Sequence, residues 1–161
     1  MAWRGSTDAK DRFFSAIVYL IPLHYAQSFF GASLGFQLPA LRPLLDLIAL
    51  ICTPVNIIYS LIPLGLGSLV IFFVLYLAVV RNETIKHFIR FNTLQAILLD
   101  IALFLLALIA PIIAIGFVGQ VFNTIVFLAS LMACGYAIAQ SALGRYAEMP
   151  TISDAAYSQL R

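Results

Sequence analysis

Asp100 is the residue in this chain most in need of a chemical explanation. It is a lone carboxylate in the apolar run Ala96-Ile-Leu-Leu-Asp-Ile-Ala-Leu-Phe104. A carboxylate inside a membrane-spanning helix costs roughly 2.5–3.5 kcal/mol on insertion scales and marks a functional site by default. Asp100 lies eight residues beyond Asn92, so on a helix it sits about 12 Å inside the nearer charged face, short of the midplane. At that depth the spans bring up Ile21, Pro22, Phe72, Gly135 and Tyr136, with Tyr19 a turn shallower and His24 somewhat deeper. The expectation is that Asp100 faces the bundle and is hydrogen-bonded by Tyr136 or Tyr19, or paired with His24. A wet polar patch for transport or gating is one use of such a group. A structural carboxylate that fixes helix register is the other. Pro22 frees a backbone carbonyl nearby and loosens its helix there.

Other chemistry is sparse. No paired carboxylates, nucleotide loop, HExxH or GxSxG motif is present, so no enzyme and no cofactor is expected. His24 and His87 lie in different environments, one inside a span and one in a basic loop, and Cys52 and Cys134 lack metal-ligand spacing. No metal site is expected, and both cysteines read as small hydrophobic residues. Gln95, Asn123 and Gln140 read as polar glue between helices, with Gln95 and Gln140 close enough in depth to bond across two spans. Gly31 and Gly35 form a GxxxG, a weak signal for close packing or self-association.

The elements that hold these residues are set by hydropathy. Of 161 residues, 63% are hydrophobic and only 10% charged, against about 25% charge in soluble domains. This is an all-α membrane protein read as one membrane domain over residues 1–161. Four transmembrane helices are predicted at about 13–36, 60–80, 93–115 and 120–143, each near the roughly 20 residues a span needs. Residues 37–59 carry Pro39, Pro43 and Pro54 together with Arg42 and Asp46 at i,i+4 spacing. Such a segment is a poor lipid-exposed span and is expected to lie in the interface or to re-enter. The start of the chain lacks the pattern of an organelle transit peptide, and residues 13–23 read as the opening of a retained span rather than a cleaved signal.

Charge placement orients the chain. Arg4, Lys10 and Arg12, then Arg81, Lys86 and Arg90, then Arg145 and Arg161 fall on one side of a four-span arrangement, and Arg42 alone falls on the other. The positive-inside rule puts the termini on the cytoplasmic or stromal side. The net charge of +2 is too small to argue for nucleic acid. Arg81, Lys86, Arg90 and Asp154 are candidate interfacial or docking residues. Residues 81–92 place Ile85, Phe88 and Phe91 on one helical face and Lys86 and Arg90 on another. This suits an interfacial helix against anionic lipid as well as an ordinary basic loop. Asn92 and Gln95 read as a capping box opening the third span, and Ser153 as the cap of a short helix in the polar tail 144–161.

Three stretches go beyond generic membrane composition: Phe88-Ile-Arg-Phe-Asn-Thr-Leu-Gln-Ala-Ile-Leu-Leu-Asp100, Gly144-Arg-Tyr-Ala-Glu-Met-Pro-Thr-Ile-Ser-Asp-Ala-Ala-Tyr157, and Leu38-Pro-Ala-Leu-Arg-Pro43. In this order around four spans, the chain resembles the twenty-kilodalton subunit of the chloroplast inner-envelope translocon (the Tic complex) and its cyanobacterial relatives. The resemblance implies a four-helix protein with both termini on the stromal or cytoplasmic side of a plastid inner envelope or cyanobacterial membrane. It further implies a membrane-embedded core component that moves preproteins with other subunits or copies of itself. Four helices about 10 Å across pack around side chains, so one copy holds no bore for an extended polypeptide. A non-conducting scaffold or assembly factor is the competing function. A small-solute transporter is weaker, because no internal repeat accompanies Asp100.

Overall fold

Prolines and long apolar runs cut this chain into helices. A computed structural model describes residues 7–31, 34–113, 115–150 and 152–160. Arg4 and Arg161 of the basic side, and Thr151 of the tail stretch, lie outside them. Every regular element among the described residues is helical. Three helical stretches are long and apolar enough to cross a membrane: Ala9–Gly31 with 23 residues, and His87–Ile113 and Gly116–Ala142 with 27 each.

The first span is interrupted. Helix α1 (Ala9–Ile17) gives way to α2 (Leu20–Ala26) and then to a π-helical turn, Gln27–Gly31. Pro22 has no N–H to offer the Val18 carbonyl, which accepts instead from Ile21 N at 3.2 Å. This is the loosening expected of a proline inside a helix. The span begins four residues earlier than predicted, and α3 (Leu34–Gln37) is a separate short helix.

Residues 38–60 follow their prolines. Pro39 opens a 3₁₀ turn, Pro43 lies in the first turn of α4 (Arg42–Ile51), and Pro54 in that of α5 (Thr53–Ser60). The first turn is where the missing N–H is harmless. The stretches Pro39–Ile51 and Thr53–Ser60 are bent by 52°, meeting at Cys52. Such a pair is a broken span or a re-entrant element rather than a straight helix. The Arg42 guanidinium donates to the Gly35 carbonyl at 2.8 Å. It does not pair with Asp46 as the i,i+4 spacing suggests.

The predicted second span is shorter than its hydropathy implies. Pro63 pushes Ile62 into extended backbone, and Leu64 is left-handed at φ 65°. Helix α6 (Gly67–Val74) therefore starts late and runs into a second π-helical turn, Leu75–Val80. Together Gly67–Val80 reach about 21 Å, less than the roughly 30 Å hydrocarbon core.

Helices α7 (His87–Ile113) and α8 (Gly116–Ala142) are separated by only two residues, and the first span packs against both. Leu23, Ala26, Phe30, Leu103, Phe127 and Cys134 fill the space between them. Gly31 permits this approach: a Cβ there would stand 2.9 Å from the Phe127 ring. The GxxxG thus serves close packing within the chain. The turn Leu75–Val80 lies on the other side of α7, and α9 (Ile152–Gln159) packs on α7 as well.

Candidate functional site

Two polar regions emerge, one at the basic end and one at depth in the bundle. The basic end is built on the first turns of α7. Because α7 begins at His87, Asn92 and Gln95 lie inside the helix one turn apart, and the capping-box reading fails. Both are wholly buried. The Asn92 Oδ1 accepts from the Ser141 hydroxyl at 3.0 Å, and its amide donates to the Phe88 carbonyl at 2.8 Å. The Tyr19 hydroxyl lies 3.0 Å from both Asn92 Oδ1 and Gln95 Oε1. Gln95 Nε2 donates to the Ala147 carbonyl at 2.7 Å and to Ser153 Oγ at 2.9 Å, and Ser153 Oγ accepts from the Met149 N–H at 2.6 Å. Gln95 therefore ties the tail to α7 rather than bonding Gln140, and Ser153 belongs to this network rather than capping α9.

Aromatic rings complete the seal. Phe91 meets Tyr157 at 4.6 Å and Tyr146 at 5.1 Å between ring centroids, and His87 Nδ1 lies 3.2 Å from the Tyr146 hydroxyl. Phe88 and Phe91 are buried in the protein, so the interfacial-helix reading of residues 81–92 gives way to a tight turn followed by the start of α7. Lys86 and Arg90 are individually engaged. Lys86 reaches Asp11 at 2.7 Å and Asp8 at 3.0 Å, and these carboxylates hold its ammonium above the usual lysine pKa. Arg90 donates to the Val80 carbonyl at 2.8 Å. Arg81 and Asp154 are exposed. The start of α1, the turn before α7 and the tail thus meet at one end of the molecule.

The second region surrounds Asp100. Tyr19 is committed to Asn92 and Gln95, Tyr136 is 44% exposed on α8, and His24 packs edge-on against Tyr59 at 5.4 Å. None of the three bonds Asp100, whose Oδ1 is buried without a hydrogen-bond partner. Counting depth did find two true neighbours. Ile21 and Phe72 line a water-sized gap beside the carboxylate, with Ser68, Ala96 and Ile97. Ser68 also lines a larger cleft of about 250 Å³ whose other walls are His24, Tyr25, Ser28, Phe29 and Tyr59. Sequence reasoning missed Ser68 and Tyr59: Tyr59 lies in residues 37–59, which carry no signal for the helix they face, and Ser68 lies a turn from Phe72, the residue that depth picks out on the second span. Gly67 explains the closeness of α5 and α6 here: a Cβ would stand 2.8 Å from the Tyr59 backbone.

Fold and site together define a polytopic α-helical membrane protein with a broken first span, a strapped basic end and an unpaired carboxylate, Asp100, at depth. Among known proteins, the chain belongs to the Tic20-like family: residues 8–156 match the family described as chloroplast import apparatus Tic20-like. It is 48% identical to a Tic20 family protein of Synechocystis sp., over all of this chain and 99% of that relative. It is 33% identical to Protein TIC 20-II, chloroplastic, of Arabidopsis thaliana, over 96% of this chain and 74% of the relative. It is 31% identical to the Tic20 family protein Ycf60 of Porphyra purpurea, over 97% and 78%. The resemblance drawn from the three stretches is thereby established.

Proposed function

We propose that this chain is a non-enzymatic core subunit of a protein translocon, contributing one wall of a polypeptide path completed by other subunits or further copies. The observation that carries this reading is the family match over residues 8–156 joined to a bundle whose centre is filled. A filled bundle leaves its outer faces for polypeptide. Leu44, Leu47, Leu50, Ile57, Ile58 and Leu61 on and beside α4 and α5 are exposed, and they offer apolar surface to lipid or to a neighbouring chain. The membrane is a plastid inner envelope or its cyanobacterial counterpart, with the strapped basic end on the stromal or cytoplasmic side.

A second reading, a non-conducting scaffold, is favoured by the same basic end, where tail and turn form one ordered surface. Arresting a labelled precursor in transit and purifying the full chain separates the two. The translocon reading expects the precursor to co-purify. Stable recovery of one membrane complex with no precursor turns the assignment to the scaffold.

A further inference from the structure

We infer that the cleft between the first span, α5 and α6 receives a lysine or arginine side chain of the passing polypeptide, with Asp100 as its counter-charge. This rests on the translocon reading in taking the donor chain to be the precursor.

Three observations converge on a cation. First, Asp100 is an intramembrane carboxylate whose Oδ1 is buried and unbonded, and such groups are ordinarily paired or hydrated. The gap directly beside it has room for about one water. Second, the adjoining cleft is lined by rings: His24 and Tyr59 meet edge-on at 5.4 Å, and Tyr25 stacks on Phe29 at 6.1 Å. Aromatic faces beside a carboxylate are the ordinary chemistry of ammonium and guanidinium recognition. Third, the cleft holds about 250 Å³, below the roughly 300–1,000 Å³ of pockets for drug-sized ligands and suited to one side chain.

The local backbone explains why the cleft exists. The first span is broken at Val18–Tyr19 and widened by the π-helical turn Gln27–Gly31, which places Ser28 and Phe29 on its wall. Departures from regular helix of this kind concentrate at functional sites. Ser68 lines both the cleft and the gap at Asp100. A side chain seated among the rings thus has the Ser68 hydroxyl on its wall, on the side of the gap that Asp100 lines. Residues reaching this depth otherwise arrive in an apolar environment, so the site lowers the barrier for a basic residue to move along the protein.

The test uses the full chain in lipid nanodiscs. Its probe is a fluorescent apolar helical peptide bearing one central lysine, compared with the same peptide bearing norleucine. The lysine peptide is expected to bind about tenfold more tightly, the scale of one desolvated cation contact. Asp100→Asn should erase that preference, Asp100→Glu should keep it, and Tyr59→Leu should weaken it. Equal binding of the two peptides to the wild type, or a preference that survives Asp100→Asn, overturns the inference. A photocrosslinker at Ser68 then identifies the source of the cation during transport. Lysine-dependent crosslinks to the precursor support the assignment, and crosslinks to a resident helix overturn it. Failure of the peptide test alongside precursor crosslinks elsewhere on the chain would sink this inference and leave the translocon reading standing.

Discussion

Asp100 and Gln95 lie five residues apart on α7, yet their environments predict opposite mutational outcomes. Gln95 is wholly buried and joins Tyr19, Ala147 and Ser153. Gln95→Leu strands the Ala147 carbonyl, while Tyr19 keeps Asn92 and Ser153 keeps the Met149 N–H, and a buried orphan costs about 1–3 kcal/mol. Chemical denaturation in mild detergent should show a loss in that range, and limited proteolysis should cut the tail sooner. Asp100→Asn removes no hydrogen bond, so the same denaturation should move by less than about 1 kcal/mol. A loss as large as that of Gln95→Leu would make Asp100 a structural residue. At the basic end, the Lys86 pKa is raised by Asp11 and Asp8. Its contribution is whole below the ordinary lysine pKa and is lost only as pH rises through the higher folded value. Protease protection of the N-terminal residues should therefore persist through the neutral range and fall at strongly alkaline pH, and Lys86→Ala should remove it at every pH. The sequence located Asp100 in depth but not around the helix axis. That is why Ile21 and Phe72 do lie beside it, while Tyr19, Tyr136 and His24, at similar depth, point elsewhere.

The helices themselves were legible where lipid is the solvent, because a span must be long and apolar. Both 27-residue helices lie close to the stretches that hydropathy marks. Boundaries failed where backbone chemistry overrides hydropathy. Pro63 and the left-handed Leu64 delay α6, and Pro22 divides the first span. Asn92, Gln95 and Ser153 resemble local caps in sequence because capping residues and buried network residues share the same chemical types. Only the fold brings the tail to α7. Two variants test the element-level account. Gly67→Ala drives a methyl into the Tyr59 backbone, which cannot swing aside as a side chain can. It should cost about 1–3 kcal/mol by overpacking, read as a lowered denaturation midpoint, and it should open the α5–α6 wall of the cleft. Pro22→Ala restores a donor for the Val18 carbonyl, so spin labels on α1 and α2 should report a straighter first span.

As a whole, the molecule is a filled bundle with a polar clamp at one end and a lateral cleft at depth. On the proposed translocon reading, its filled centre and the side position of the cleft, walled by the first span, α5 and α6, leave the outside of the chain for a polypeptide path. The family was legible from three short stretches because each now has a structural task. The first runs from the clamp to the unpaired carboxylate, the second docks the tail, and the third opens α4. The most direct test of that account is photocrosslinking during arrested transport, with probes at His24 and Ser68 in the cleft and at Phe13 on the exposed surface. The account predicts precursor crosslinks from the cleft positions, depleted when a chase clears the arrested chain. Crosslinks from those positions only to helices of this protein or to a stable partner would contradict it, and would make the chain a scaffold.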